Sequence, residues 1–118
     1  MNILQIILIG LVSLIHVYIL YLEMALWTTK KGIKAFNLKD KKFAEETKIM
    51  AANQGLYNGF LAAGLIWSII SNKVDVSLFF LICVFIAGIY GAYSTKSIKI
   101  LYIQTIPASV SILSILLL

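Results

Sequence analysis

Residues 3–27 read ILQIILIGLVSLIHVYILYLEMALW, and this stretch decides the fold class. It carries one acidic side chain, Glu23, and no lysine or arginine. Crossing the hydrocarbon core of a bilayer takes roughly 20 apolar residues in helical form, since each residue rises about 1.5 Å. A membrane barrel strand needs only about ten residues and alternates apolar with polar positions, which this stretch does not do. It therefore predicts a transmembrane helix, whose backbone hydrogen bonds are all internal.

Three further stretches are long and apolar enough to be helices of the same kind: residues 49–70, 76–93 and 98–118. The second of the four predicted helices is expected to begin in water and to cover residues 41–71, because Asp40 is a suitable N-cap. Its predicted membrane part is residues 49–70. The sequence therefore predicts an all-α, integral membrane four-helix bundle that forms a single transmembrane domain, residues 1–118.

The overall composition is that of a lipid-embedded chain. Of its 118 residues, 61% are hydrophobic and 13% are charged, whereas soluble domains are nearer half apolar and a quarter charged. The net charge of +5 comes from ten lysines with no arginine. These lysines form short clusters between apolar stretches, whereas a nucleic-acid binder has a continuous basic face with arginines that read base edges. We therefore expect the lipid bilayer, and no nucleic acid, as a partner.

The lysines are distributed unevenly among the predicted loops. Seven of the ten lie in residues 28–48 and two in residues 94–99, while the remaining loop has only Lys73. Short cytoplasmic loops of membrane proteins are enriched in lysine and arginine. We therefore predict a multi-pass protein of the cell membrane, with residues 28–48 and 94–99 in the cytoplasm and both termini on the outer side.

Two ionisable residues of the first predicted helix, His16 and Glu23, are seven positions apart and so share one helix face. Ionisable groups inside a membrane cost roughly 2.5–3.5 kcal/mol on insertion scales, so they usually face a cavity or a partner. One hypothesis is a proton-carrying pair that lines a cavity. The alternative is structural: Glu23 reaches headgroup water or a loop lysine, and His16 bonds to the second helix.

The second predicted helix carries a group of polar residues within an arc of roughly 140°: Asn53, Gln54, Tyr57 and Asn58. Glu46 lies at the edge of the same arc, two turns before Asn53. We expect His16 and Glu23 to face this arc and to complete a pocket for a small lipophilic ligand. In the alternative, the amides only hold the helices together, with each bond contributing about 0.6 kcal/mol.

The same helix also has a small residue at every fourth position: Ala51, Gly55, Gly59 and Ala63. Such ridges allow close backbone approach, on which helix association in lipid depends. Gly88 with Ala92, or Ala87 with Gly91, is the expected counterpart on the third helix, and a homodimer seam is the alternative. Pro107 is expected to kink the fourth helix, because proline cannot donate a backbone hydrogen bond.

No nucleophile motif, glycine-rich phosphate loop or metal-ligand spacing occurs in the sequence. A metal site built from His16, Glu23 and Glu46 is geometrically conceivable. No two of these residues, however, have the i, i+3 or i, i+4 spacing that lets one helix chelate. We therefore expect no cofactor and no metal.

Two stretches, HVYILYLEMALW at residues 16–27 and FAEETKIMAANQGLYNGFLAAGLIW at residues 43–67, resemble a known family. This family consists of small four-helix membrane proteins of bacteria and fungi and is catalogued only as a domain of unknown function. The resemblance spans essentially the whole chain and implies an integral membrane fold, but no activity. It draws attention to eight residues: His16, Glu23, Glu45, Glu46, Asn53, Gln54, Tyr57 and Asn58.

Three functions remain open at this point. The leading hypothesis is a pocket for a small lipophilic ligand in a proton-coupled transporter, with Glu23 as the site where a proton and a lipophilic cation compete. The architecture resembles that of the small multidrug resistance family, whose members work as dimers. A second hypothesis is an enzyme that acts on a lipid-like or isoprenoid substrate, with His16, Glu23 and Glu46 as acid and base. The third is an assembly subunit without chemistry.

Overall fold

The computed structural model describes residues 1–118 and contains helices only, as the all-α prediction requires. Five α-helices and one π-helical segment, here called the π-turn, follow each other along the chain. They are α1 (Ile3–Ala25), α2 (Lys30–Ala35), α3 (Lys41–Ile70), α4 (Val74–Thr95), the π-turn (Leu101–Thr105) and α5 (Ile106–Leu117). The prediction of four helices therefore needs two corrections: α2 is an additional helix, and the last predicted helix consists of two parts.

The additional helix α2 is defined by hydrogen bonds at its two ends. At its start, the Thr29 hydroxyl accepts a hydrogen bond from Gly32 N. At its end, Leu38 N donates to Ile33 O over 2.9 Å, and Asn37 adopts a left-handed conformation with φ 51°. This pattern of a left-handed residue just past the helix is a common C-terminal cap, for which asparagine is suited. Six residues are too few to produce an apolar period, so only the caps signal this helix.

The last predicted helix is interrupted because of Pro107. Proline lacks a backbone N–H, and its ring clashes with the carbonyl four residues earlier in an α-helix. In the structure, Ile106 N donates to Leu101 O, five residues back, which is the π-helical pattern. The wider π-turn thus precedes the proline, which lies at the start of α5.

The chain divides into two compact units, residues 1–15 with 61–118 and residues 16–60. The first unit has an apolar core of fully buried side chains: Ile9, Val12, Leu65, Leu81, Val84 and Ala108. Polar contacts add to this core, since Gln5 Nε2 donates to Ser114 O over 3.2 Å and Ser13 Oγ to Ala62 O over 3.1 Å. These bonds satisfy polar groups that would otherwise be buried alone.

Gly88 of α4 packs against the π-turn. A Cβ atom at this position would clash with Thr105 Oγ1 and lie 2.9 Å from the backbone nitrogen of Thr105. The Thr105 hydroxyl in turn donates to Phe85 O over 3.2 Å. The expected contact of Gly88 with the small-residue ridge of the second predicted helix is therefore wrong. The π-turn takes that place, because Thr105 and Gln104 supply the atoms nearest to Gly88.

Two helices, α1 and α4, are long and apolar enough to cross a membrane. The sequence predicted four such helices. The first part of α3 is charged and its middle carries amides, which lower its hydropathy, and the π-turn with α5 makes a shorter apolar segment. By length and hydropathy, α1 and α4 are therefore the two candidate membrane-crossing helices.

We predict that Gly88→Ala destabilises the protein, because the new Cβ meets backbone atoms of Thr105 that cannot move aside. Overpacking of this kind costs about 1–3 kcal/mol. Gly10→Ala is the matched control, because no atom lies within 4 Å of its added Cβ and alanine is the better helix former. Thermal unfolding in detergent, followed by circular dichroism, measures both variants. Equal melting temperatures for the two would contradict the close contact.

Candidate functional site

Eight residues of α1 are buried, and all of them except Ser13 and Leu22 form a stripe with alternating steps of four and three: Gln5, Ile9, Val12, His16, Ile19 and Glu23. This spacing is that of a helix that packs along a single seam. Half of the stripe is polar, which is unusual because buried polar groups need partners. His16 is 0% exposed and Glu23 is 7% exposed, so the two ionisable residues lie on the same buried face.

Glu23 has a specific partner on α3. Asn58 Nδ2 donates a hydrogen bond to Glu23 Oε1 over 2.6 Å and lies 3.2 Å from Gln54 O. Hydrogen bonds to an ionised acceptor are shorter and stronger than those between neutral groups. The salt bridge in the structure joins Lys48 to Glu45 and does not involve Glu23. The Glu23 carboxylate is therefore buried with an amide donor and without a cation.

Glycine on α3 allows this approach. A Cβ at Gly55 would lie 2.6 Å from Met24 Cγ, 3.1 Å from Glu23 Cβ and 3.2 Å from Leu20 O, and one at Gly59 would lie 2.6 Å from Leu20 Cδ1. Gly55 and Gly59 of the small-residue ridge therefore pack on α1, whereas Ala63, at the end of the ridge, is exposed. Close backbone approach of this kind is what such ridges provide. It brings α3 near enough for the short Asn58 side chain to reach Glu23.

A second contact joins the turn that follows α1 to the first part of α3. Trp27 Nε1 donates to Thr47 Oγ1 over 3.0 Å, and Thr47 Oγ1 donates to Phe43 O over 2.8 Å. The Trp27 ring also packs on Phe36, with centroids 4.9 Å apart. Sequence reasoning missed Thr47. Its position four residues before Ala51, in line with Gly55 and Asn58, is the signal that could have identified it.

The predicted polar arc of α3 is divided between two surroundings. Asn58 is half-buried at Glu23, while Asn53, Gln54 and Tyr57 are exposed. The reason is geometric: the packed face of α3 follows Ala51, Gly55, Asn58 and Ala62, and residues advance by about 100° each, so most of the arc turns away. The structure brings Glu23 and Asn58 together and leaves the three other side chains outside this contact.

The two other predicted glutamates lie on the surface. Glu45 is exposed and pairs with Lys48 over 3.6 Å, and such surface pairs contribute little to stability. Glu46 is exposed and lines a shallow depression with Lys39, Asp40, Lys42 and Phe43. No group of three or more His, Cys, Asp or Glu side chains is placed to hold a metal ion. His16, Glu23 and Glu46 therefore do not form the conceivable metal site.

Comparisons with known proteins agree with the resemblance seen in the sequence. A family model described as "Protein of unknown function (DUF1304)" matches residues 10–116. The uncharacterized protein YpaA of Lactococcus lactis subsp. lactis (strain IL1403) is 34% identical over 107 residues, which cover 88% of this chain and 89% of that protein. No solved structure matches. The predicted membership of a family of unknown function is thereby confirmed.

We predict that Asn58→Leu destabilises the protein, since it leaves the buried Glu23 carboxylate without its donor. Loss of a partner for a buried polar group costs about 1–3 kcal/mol, and more for a charged one. Asn53→Leu is the matched control, because Asn53 is exposed on the same helix and surface changes usually stay within about 0.5 kcal/mol. The measurement is the free energy of unfolding of each variant in detergent, at protein concentrations where the chain is monomeric. A stable Asn58→Leu variant would show that the bond to Glu23 contributes nothing to the fold.

Proposed function

This chain belongs to the DUF1304 family of proteins of unknown function, and we propose that it is a multi-pass membrane protein that binds a proton or a small lipophilic cation at Glu23. The observation that carries the proposal is the Glu23 carboxylate, 7% exposed and bonded over 2.6 Å to the Asn58 amide. Its proposed activity is proton-coupled transport of the cation across the cell membrane.

The proposed membrane location rests on apolar surface and length. The helices α1 and α4 are long and apolar enough to cross a bilayer. Many large apolar side chains on the outside of the chain are more than half exposed, including Ile7, Ile86 and Leu113. Soluble monomers rarely expose such surface in continuous patches. We assign α3 from Ile49 onward, and the π-turn with α5, as two further crossings, since neither has a charged side chain.

The proposed orientation follows from the lysines. Residues 28–48, which include α2, and residues 94–99 together hold nine of the ten lysines. Under the positive-inside rule these segments lie in the cytoplasm and both ends of the chain lie outside. Glu23 then lies close to the cytoplasmic end of α1, one turn before Trp27, and is within reach of ions from that side.

The proposed coupling is a matter of charge. An ionised carboxylate without a cation is expensive in a membrane. A proton removes the charge, and a lipophilic cation neutralises it, so each can relieve the same cost and only one can do so at a time. The Asn58 amide holds the carboxylate in place for either. Because the proton and the cation compete for Glu23, the protein can move a cation in one direction only in exchange for a proton in the other.

An enzyme with three acid–base residues has less support in the geometry. Glu46 lies on the surface among Lys39, Asp40, Lys42 and Phe43, and not with Glu23. A general acid and base act within hydrogen-bond reach of one substrate, directly or through one water. We therefore place transport ahead of catalysis.

We predict that the two loops are labelled from opposite sides of the membrane. With Cys83→Ala as the background, Lys39→Cys should react with an impermeant maleimide only after the cells are permeabilised. Asp75→Cys, at the start of α4, should react in intact cells. Both residues are exposed, so access decides the result. The reverse pattern would invert the proposed orientation, and labelling of both in intact cells would exclude it.

We also predict that lipophilic cations drive proton efflux from proteoliposomes and that this efflux depends on Glu23. Addition of the cation outside should raise the internal pH, read by an enclosed dye. Glu23→Gln keeps the shape and a hydrogen-bond acceptor but removes the charge, and should reduce the rate by about tenfold or more. Glu45→Gln, on the surface, is the control and should retain the native rate.

Two results would count against transport by this site. A Glu23→Gln variant as active as the native chain would remove Glu23 from the mechanism. No efflux for any cation, from native protein that is folded and embedded in the vesicles, would end the transport proposal. The proposed membrane location would stand in either case.

A further inference from the structure

The helix α3 has a second face, distinct from the residues Gly55, Asn58 and Gly59 that approach α1. It consists of Met50, Asn53, Gln54, Tyr57 and Phe60, all exposed, and is here called the amide face. These residues lie within an arc of about 120°, centred roughly 120° around the helix from the face that packs on α1. The three large side chains are 73%, 58% and 57% exposed for Met50, Tyr57 and Phe60 respectively.

The amide face lies in the part of α3 that we assign to the membrane. Asn53, Gln54 and Tyr57 follow the last charged residue of the helix, Lys48, by five to nine positions, which is about 7–14 Å along its axis. Lipid chains offer no hydrogen-bond partner, and an amide without one is costly in hydrocarbon. Polar side chains at this depth are normally covered by another helix.

We propose that a second copy of this chain covers the amide face, in a twofold symmetric dimer. Every carboxamide carries both donors and an acceptor, and the tyrosine hydroxyl is also both. A face built from these groups is therefore complementary to itself. A twofold axis brings the same patch of both copies together, and a second copy has its amides at the same depth of the same bilayer.

The neighbouring side chains fit this occupant. The rings of Tyr57 and Phe60 lie 6.1 Å apart at 46° and form an apolar border beside the amides. Met50, which is flexible and adaptable, closes the other end. The glycine ridge, the alternative dimer seam, is not available because Gly55 and Gly59 contact Leu20 and Met24 of the same chain. The amide face, in contrast, is exposed along its whole length and is available to a partner.

The dimer uses a different face of α3 from the Glu23–Asn58 contact, because Asn58 lies about 100° around the helix from the centre of the amide face. The proposal rests on the membrane part of the proposed function and not on transport. Each copy carries its own complete site, and the amide face is an assembly surface. Its residues are therefore not binding residues for the transported cation.

The test is cross-linking between copies in lipid vesicles, in the Cys83→Ala background. Tyr57 and Met24 are sequence neighbours of the bonded pair Asn58 and Glu23, so they lie at the same depth on different helices. Met24 is 47% exposed and contacts the packed side of α3 at Gly55. Oxidation with copper phenanthroline should join two copies of Tyr57→Cys efficiently and two copies of Met24→Cys only weakly.

A second measurement removes the amides without a cysteine at the interface. Chains labelled at Lys39→Cys with donor or acceptor dyes report dimers by energy transfer as lipid is added. Asn53→Leu with Gln54→Leu should weaken dimerisation by about tenfold, since each amide occurs twice across a twofold axis. Flotation with the vesicles and circular dichroism first establish that each variant is embedded and helical.

Three results would overturn the proposal: equal cross-linking at positions 57 and 24, no energy transfer from the embedded native chain, or an unchanged dimer in the double leucine variant. A chain that does not float with the vesicles would instead contradict the membrane location, so the two failures are distinguishable.

Discussion

A carboxylate placed in an apolar helix needs a donor within reach, and this requirement organises the contact between α1 and α3. Asn58 supplies the donor to Glu23 over 2.6 Å. Its side chain is short, so the two backbones must be close, and Gly55 makes that approach sterically possible. The bond also sets the register of the two helices, because a shift of one turn would separate the donor from the acceptor by about 5.4 Å.

The segment between these two helices is shaped by local hydrogen bonds. Thr29 and Asn37 limit α2 at its ends, and Asp40 Oδ1 accepts a hydrogen bond from Phe43 N over 2.7 Å at the start of α3. The bond from Trp27 to Thr47 then joins the two sides of the loop. All seven lysines of residues 28–48 are exposed, so their charges remain in contact with solvent. The segment is thus held by these local hydrogen bonds.

The sequence was informative where one helix face decides the outcome. The seven-residue spacing of His16 and Glu23 placed them on one face, and both are buried. It was less informative for α3, because an arc of about 140° is wider than one packing seam. Which part of the arc meets α1 depends on Gly55, whose close contacts are tertiary. The caps of α2 and the π-turn before Pro107 are defined by hydrogen bonds of the backbone. Such bonds produce no periodic pattern of apolar residues, so the sequence did not predict them.

These constraints give α3 two polar sides with different requirements. On one side, the amide of Asn58 donates a hydrogen bond to the Glu23 carboxylate of the same chain. On the other, Asn53 and Gln54 are exposed and keep their donors and acceptors. A helix in water would satisfy them with solvent, and a helix in lipid cannot. If α3 crosses a membrane, Asn53 and Gln54 need hydrogen-bond partners from a second helix. The membrane location of α3 and its self-association are therefore linked through this one face.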